Sequence, residues 1–326
     1  MLNPHAKLSD RLYGEVEQIP TRTGFGDGVV EAGSQNKDVV LLCCDLTDST
    51  KSAKFRKEFP ERFVEVGVAE QNMAGIGAGM AYTGKIPFIV SYAAFNPGRN
   101  WDQIRVSICY SDANVKIIGA HAGISVGPDG ATHQAMEDVA ITRVLPNMTV
   151  IVPCDYHDAK KAALAMSKVK GPCYMRFGRE NVPVVTTPET PFQIGRAETF
   201  RQGKDVTVIA CGTLVYEALI AARELEGQGI DVRVINCHTI KPIDREAIIN
   251  AAKETGAIVT AEEHQIHGGL ASAVAEVVVK SHPVPMEFVA VNDRFGESGQ
   301  PDELMRKFLV KAPNIVWSVK EVLKRK

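Results

Sequence analysis

No apolar run in this chain is long enough to cross a bilayer. The longest, such as MTVIV and AIVTA, fall far short of the roughly 20 residues a spanning helix needs. The N-terminal stretch MLNPHAKLSDRLYGEV lacks the apolar core of a signal peptide, so a cytoplasmic protein without a membrane partner is expected. Excess charge of either sign is also missing: 37 Lys and Arg face 39 Asp and Glu, with no basic stripe, which argues against nucleic acid as a partner. Cysteine is not scarce, but metal and redox spacing is. Cys43, Cys44, Cys109, Cys154, Cys173, Cys211 and Cys237 include no CxxC pair and accompany no His cluster at zinc spacing. They lie in or beside apolar runs and read as reduced core residues, in surroundings that disfavour the thiolate a nucleophile needs.

Two glycine motifs are present only in part. GFGDG (Gly24 to Gly28) resembles the start of a diphosphate-binding GDG motif, but it follows no apolar strand and lacks the downstream Asn that completes such a motif. GIGAG (Gly75 to Gly79) misses the third glycine of a dinucleotide fingerprint at the required spacing. The first reads as helix-packing or helix-start glycines and the second as close packing between helices.

What is present is a soluble-protein composition, 45% apolar and 23% charged, over 326 residues, enough for two domains with sizeable cores. Val/Ile-rich runs (DVVLLCCD, PFIVSY, VKIIGAH, MTVIVPCD) alternate with helical stretches such as AEQNMAGIGAGMAY and YHDAKKAALAMSKV. That alternation predicts a mostly parallel, doubly wound α/β sheet. The Pro/Thr-rich stretch NVPVVTTPETPFQIG interrupts it, and a second series follows: DVTVIACG, VRVINCHTI, AIVTAEEH and MEFVAVND. The reading is two α/β domains divided near residue 190, residues 1–188 and 189–326.

Candidate chemistry gathers at predicted strand ends. Glu70 closes FVEVGVAE and opens a helix of Ala, Gly and Met, where α/β proteins place ligands. A first-turn Glu favoured by the helix dipole is the bland alternative. The Gly-rich HAGISVGPDGATHQAMED follows VKIIGA and brings His121, Asp129 and His133 to a second strand end. A loop so rich in ionisable groups reads as functional.

With those residues in place, the chain resembles the transketolase family. FVEVGVAEQNMAGIGAGMAYTGKIPF, SYAAF, HAGISVGPDGATHQAMED and MRFGREN resemble its thiamine pyrimidine-binding domain. KPIDREAI, AEEHQIHGGLASAVAE and DRFGESG resemble its C-terminal domain. The diphosphate-binding domain of full-length transketolases has no counterpart, so the chain resembles the C-terminal half of a split transketolase. The resemblance implies thiamine diphosphate and Mg2+ as cofactors, with no metal ligand on this chain. It implies an N-terminal transketolase subunit as partner, a homodimer core within a heterotetramer, and sugar phosphates as substrates between which a two-carbon ketol unit passes.

The same resemblance implies the site residues. Glu70 would hydrogen-bond the pyrimidine N1′, in apolar surroundings that disfavour its ionisation. His121 and His133 would stabilise substrate hydroxyls and the developing alkoxide, and Asp129 would hold the donor's C2 hydroxyl. Arg179, with Arg22 and Ser49, would bind the phosphate, which suits the planar fork of Arg. Asp45, in CCDLTDST, would lie near the cofactor, with a helix N-cap as the bland alternative. Phe95 and Tyr92 would pack on the pyrimidine, although SYAAFNPGRNW departs from the family by placing Gly98, then Arg99, where a further aromatic is usual. Glu262, Glu263, His264 and His267 look catalytic as a cluster, but a packing or interface role is expected. Three alternatives stay open: a deoxyxylulose-phosphate synthase-like subunit, a 2-oxoacid dehydrogenase beta-like subunit, and a noncatalytic structural partner.

Overall fold

The computed structural model describes all 326 residues. Fourteen strands form three sheets: β1 (Gln18–Pro20), β2 (Val39–Cys43), β3 (Phe63–Glu65), β4 (Ile86–Tyr92), β5 (Lys116–Ala120), β6 (Thr149–Ile151), β7 (Cys173–Arg176), β8 (Asn181–Pro183), β9 (Glu198–Arg201), β10 (Val206–Ala210), β11 (Val232–Asn236), β12 (Thr239–Lys241), β13 (Ile258–Gln265) and β14 (Met286–Val291). The seven-stranded sheet runs β12-β6-β7-β5-β4-β2-β3 and is parallel except for β12. The five-stranded sheet runs β14-β13-β10-β11-β9 and is parallel except for β9. β1 and β8 form a small antiparallel ribbon. The two doubly wound α/β units expected from the alternating runs are therefore present.

Strands β2 (VVLLC) and β5 (KIIGA) are buried along their whole length, as interior parallel strands covered on both faces must be. Lys116 in β5 tolerates this because its Nζ donates to Asn114 Oδ1 (2.7 Å) and to the carbonyls of Val169 and Gly171 (2.8 Å each). The run VRVINCHTI splits between the sheets. Its first five residues form β11, and after Cys237 and His238 the chain crosses to pair as β12 against β6 at the edge of the first sheet. The two halves are stitched by a strand exchange that periodicity alone could not reveal. No helix is long and apolar enough to cross a membrane. All seven cysteines are buried and unpaired.

The glycine motifs resolve differently. In the helix Thr21–Gln35, a Cβ on Gly24 would lie 2.1 Å from the Tyr156 carbonyl oxygen and one on Gly28 2.5 Å from that of Lys160, so these glycines set close helix packing as expected. In the helix Glu70–Tyr82 only Gly77 is packed, against Ile89; Gly75 and Gly79 are exposed with nothing within 4 Å of a Cβ. The expectation of helix–helix packing at Gly75 and Gly79 is corrected: within this chain they face outward.

Candidate active site

The chain crosses from β2 to the edge strand β3 and then returns to β4 on the other side of β2, which makes a topological switch point in the first sheet. Crevices at such points, beyond the carboxyl ends of the strands, are where open α/β sheets hold ligands. Asp45 follows β2, Glu70 begins the helix after β3, Tyr92 ends β4, His121 follows β5 and Arg179 follows β7. Two of these residues adopt left-handed backbone conformations, Asp45 at φ 57° and His121 at φ 53°. For non-glycine residues this is an uncommon, locally costly geometry that clusters at functional sites.

Glu70 is 1% exposed. Its carboxylate accepts from Ser91 Oγ at 3.0 Å and pairs with Arg99 Nη1 at 2.7 Å, while its carbonyl accepts from Asn100 Nδ2 at 3.1 Å. The apolar environment expected for it is thus corrected: the helix contributes Met73 and Ala74, but the carboxylate meets a hydroxyl and a guanidinium. That guanidinium lies 4.5 Å from the centroid of the Phe95 ring. Gly98 has a local reason, since a Cβ there would sit 2.1 Å from the Ala94 carbonyl oxygen; the tight turn leaves no room for an aromatic.

A continuous aromatic and imidazole cluster joins this carboxylate to the Gly-rich loop. Tyr92 stacks on His121 (centroids 4.0 Å) and lies 6.2 Å from Phe95, and His133 meets Phe95 edge-on at 5.3 Å. His121 is 2% exposed and its Nδ1 has no hydrogen-bond partner in the chain. Burial first, then the cations Arg22 and Arg179, then His133, push its pKa down to about 3, so its ring is neutral at physiological pH. His133 pairs its Nδ1 with Thr132 Oγ1 at 2.8 Å.

Beyond His121 the site becomes cationic. Arg22 is half-buried, its Nη1 donating to the Ser49 carbonyl at 2.9 Å, and burial followed by repulsion from Arg179 lowers its pKa. Ser49 therefore enters through its backbone, and Arg22 is no free helix-end charge. Arg179 Nη1 contacts the Val126 carbonyl (3.2 Å) and Asp129 Oδ1 (3.4 Å), and its Nε approaches Glu180 (3.5 Å). Asp45 is exposed; only its backbone N–H is engaged, donating to Glu65 Oε1 at 2.6 Å, so it caps no helix.

The second domain reaches this loop through residues that sequence patterning left as packing. Glu263, buried at the end of β13, accepts from Ser125 N at 2.6 Å and from Thr213 Oγ1 at 3.1 Å. A Cβ on Gly123 would lie 2.3 Å from its Oε1. Burial, opposed by the Ser125 N–H and Arg176, raises the Glu263 pKa. Gln134 Nε2 donates to the carbonyls of Gly127 and Glu297, tying the far end of the loop across the same seam. By contrast, Glu262 accepts from the backbone N–H groups of Leu270 and Ala271 and caps a helix, and His264 holds Gln265 O. Arg99, Ser91 and Asn100 are the site residues that sequence reasoning gave no role. The Gly98–Arg99 departure was the only signal for any of them.

Fold and site together define a two-domain α/β protein that presents a buried carboxylate, an aromatic and imidazole cluster and a pair of arginines along one sheet rim. Comparison with known proteins narrows this. Residues 17–185 match the family model "Transketolase, pyrimidine binding domain" and residues 195–315 match "Transketolase, C-terminal domain". The chain belongs to the transketolase family. It is 41% identical over 312 residues to the 6-deoxy-6-sulfo-D-fructose transketolase subunit of Clostridium sp. (strain MSTE9), covering 96% of this chain and 97% of that one. It is 37% identical to an apulose-4-phosphate transketolase subunit of Phocaeicola vulgatus, covering 94% and 98%. Human transketolase is 36% identical over 95% of this chain, which spans 50% of the human protein. A solved structure described as a split gene transketolase, inactive beta4 tetramer, superposes with a TM-score of 0.89 at 46% identity, covering 94% of this chain and 99% of that one. The chain is a split transketolase-like subunit.

Proposed function

We propose that this chain is the C-terminal subunit of a cytoplasmic transketolase. It acts with a separate N-terminal subunit carrying the diphosphate-binding domain and the magnesium ligands, and moves a two-carbon ketol unit from an anionic ketose to an anionic aldose. In this reading residues 1–188 form the pyrimidine-binding domain and residues 189–326 the C-terminal domain. The observation that carries it is Glu70, a carboxylate 1% exposed that faces a flat cation lying over Phe95. A buried acid beside an aromatic face fits an aminopyrimidine, and the unpartnered, buried His121 Nδ1 fits a polar ligand further along the rim. When bound, thiamine diphosphate would supply a thiazolium whose C2, once deprotonated, is a carbon nucleophile toward a ketose carbonyl, and whose cationic ring is the sink for the electron pair of the broken C2–C3 bond.

This chain's residues do the rest. Glu70 holds a proton toward the pyrimidine N1′, and Phe95, with Tyr92 behind it, packs against the ring. Asp45 closes the β2 side of the cofactor seat. His121, neutral because it is buried beside two arginines, donates or accepts a hydrogen bond without adding charge, and His133 reaches substrate oxygens from the opposite end of the loop. Asp129 holds the donor hydroxyl next to the reacting carbon. Arg179 and Arg22, the latter oriented by the Ser49 carbonyl, take the terminal anion, and the fork geometry of Arg serves phosphate and sulfonate alike. The names of the relatives support an anion-terminated ketose as the substrate class, one being a sulfofructose enzyme subunit and another an apulose-4-phosphate enzyme subunit. The outward-facing Gly75 and Gly79, on the same helix face as exposed Tyr82, whose hydroxyl donates to the Ser107 carbonyl in the segment that also exposes Val106 and Tyr110, support a homodimer core within a heterotetramer. The relative described as an inactive beta4 tetramer supports self-association without activity.

The test is to co-purify the partner and screen donors on the complex: ketose phosphates, apulose-4-phosphate and 6-deoxy-6-sulfo-D-fructose. Ketol transfer is expected from the complex and not from the chain alone. Turnover by a verified partner-free sample would defeat the split-subunit reading, and no transfer from any donor by a folded complex would defeat the transketolase reading.

A further inference from the structure

Arg99 is a charged residue at this site, in contact with Glu70, that the proposed chemistry leaves unused. Around it the backbone is pinned: buried Asn96 donates to the carbonyls of Ile89 and Ile118, and buried Asn100 donates to Asn96 Oδ1 and to the Glu70 carbonyl. The Arg99 side chain is held differently. It is 46% exposed, and its polar contact is the 2.7 Å bond from Nη1 to Glu70 Oε2. Its guanidinium spends its flat face on Phe95, 4.5 Å from the ring centroid.

These are the two contacts that the proposed function gives to the cofactor's aminopyrimidine: an N–H or protonated nitrogen edge toward Glu70 and a flat face over Phe95. A guanidinium and an aminopyrimidine share planarity, delocalised positive character and donors along one edge. They cannot both take the same carboxylate oxygen and the same ring face. Without some partner, Glu70 would be a buried and uncompensated carboxylate, which is costly. Arg99 keeps 46% of its side chain in water, so it can swing out to solvent without repacking once another donor takes over the carboxylate.

We propose that Arg99 is a positioning residue that occupies the aminopyrimidine seat in the unliganded chain. It holds Glu70 and Phe95 in their binding geometry, and its side chain swings toward solvent when the pyrimidine arrives. This rests on the assignment of Glu70 and Phe95 to the pyrimidine. It explains why a basic residue follows the glycine at a turn whose backbone is otherwise fixed by two buried asparagines.

The test uses the isolated chain with thiamine as the probe, read by calorimetry or ligand-detected NMR, each variant first checked for a native circular dichroism spectrum and a single cooperative unfolding transition above the assay temperature. Arg99→Met keeps an apolar stem over Phe95 and removes the competing donor. It should bind thiamine roughly tenfold more tightly than wild type, the scale of one charge-assisted hydrogen bond. Arg99→Lys, which keeps the charge without the flat fork, should fall between the two. Arg99→Met binding no more tightly than wild type, including the case where neither binds, overturns the stand-in role. If Glu70→Gln alone then weakens thiamine binding, the assignment of Glu70 to the pyrimidine survives while the role of Arg99 falls. If Arg99→Met binds tightly and adding Glu70→Gln changes nothing, Glu70 is not the pyrimidine's partner and both readings fall.

Discussion

His121 makes the stability of this chain depend on pH in a way that can be worked out in advance. Burial, Arg22, Arg179 and His133 together take its pKa from the ordinary 6.5 to about 3. In the unfolded chain the imidazole takes up a proton as pH falls through the ordinary value, whereas in the folded chain it stays neutral. The unfolded state therefore binds more protons between those two values. The contribution is fully present above the unfolded pKa, declines as pH falls, and is exhausted once pH drops below the folded pKa. Going from roughly pH 7.5 to roughly pH 5, one such histidine costs about 2 kcal/mol. The control must not titrate and must accept the left-handed backbone at φ 53°, so His121→Asn is the substitution to use. Urea unfolding followed by circular dichroism at fixed protein concentration should show wild type losing about 2 kcal/mol more than His121→Asn over that window. Buried His238 and half-buried His157, whose pKa values are also lowered by burial, remain in both proteins and cancel in the difference. An anion such as sulfate, binding between Arg22 and Arg179, should shrink the gap by offsetting part of the repulsion. Parallel stability profiles for the two proteins would refute the picture of a neutral His121 held against two arginines.

Three further outcomes are expected. In the assembled complex, Glu70→Gln should keep folding and assembly but lower turnover by about 10²-fold or more, the scale of a lost proton-transfer group; near-normal turnover at saturating cofactor would remove Glu70 from the mechanism. Arg179→Ala should raise KM for anion-terminated donors and matter little for a neutral ketose, since the lost interaction is a remote binding contact; equal damage to both donors would move Arg179 out of anion recognition. Glu263→Ala strands the buried Ser125 N–H and the Thr213 hydroxyl, so it should cost about 2 to 4 kcal/mol and speed exchange of the Ser125 amide, whereas Glu263→Gln, which keeps an acceptor, should cost less. Unchanged exchange in Glu263→Ala would show that the loop is held by other contacts.

The architecture was legible where physical chemistry acts locally. Runs such as VVLLC and KIIGA declare interior parallel strands because every residue is apolar or otherwise satisfied, and GFGDG declares close helix packing because glycine permits it. Acidic and imidazole residues at strand ends declared the rim. Contacts made across long sequence separations were not legible. VRVINCHTI gave no hint that its last residues would leave for the other sheet, because both destinations bury the same kind of side chain. Gly75 and Gly79 looked like packing glycines because sequence does not say which helix face meets the chain itself. Arg99 read as a departure from an aromatic pattern, and its ion pair 29 residues back in sequence became visible only with the fold.

The same separation explains what the second domain contributes to the site. His121 sits in a left-handed conformation that local sequence does not favour, and such a residue costs of order 1–3 kcal/mol unless its surroundings over-determine it. Those surroundings are not local. Gly123, two residues on at φ 94°, has no space for a Cβ because the Glu263 carboxylate fills it, and that carboxylate fixes the next turn through Ser125 N. At the other end Gln134 bonds to the Glu297 carbonyl, and Gly130 is crowded by Ser298. Below the loop, Arg176 joins Asp138 (3.3 Å) to the Glu263 carbonyl, and Tyr174 donates to Asp138 at 2.6 Å, so the backbone of the residue whose carboxylate grips the loop is itself held from the first sheet. The loop that carries His121, Asp129 and His133 belongs in sequence to the first domain, but its conformation is fixed by both. Loosening the domain seam should therefore misplace these three side chains before it unfolds either sheet.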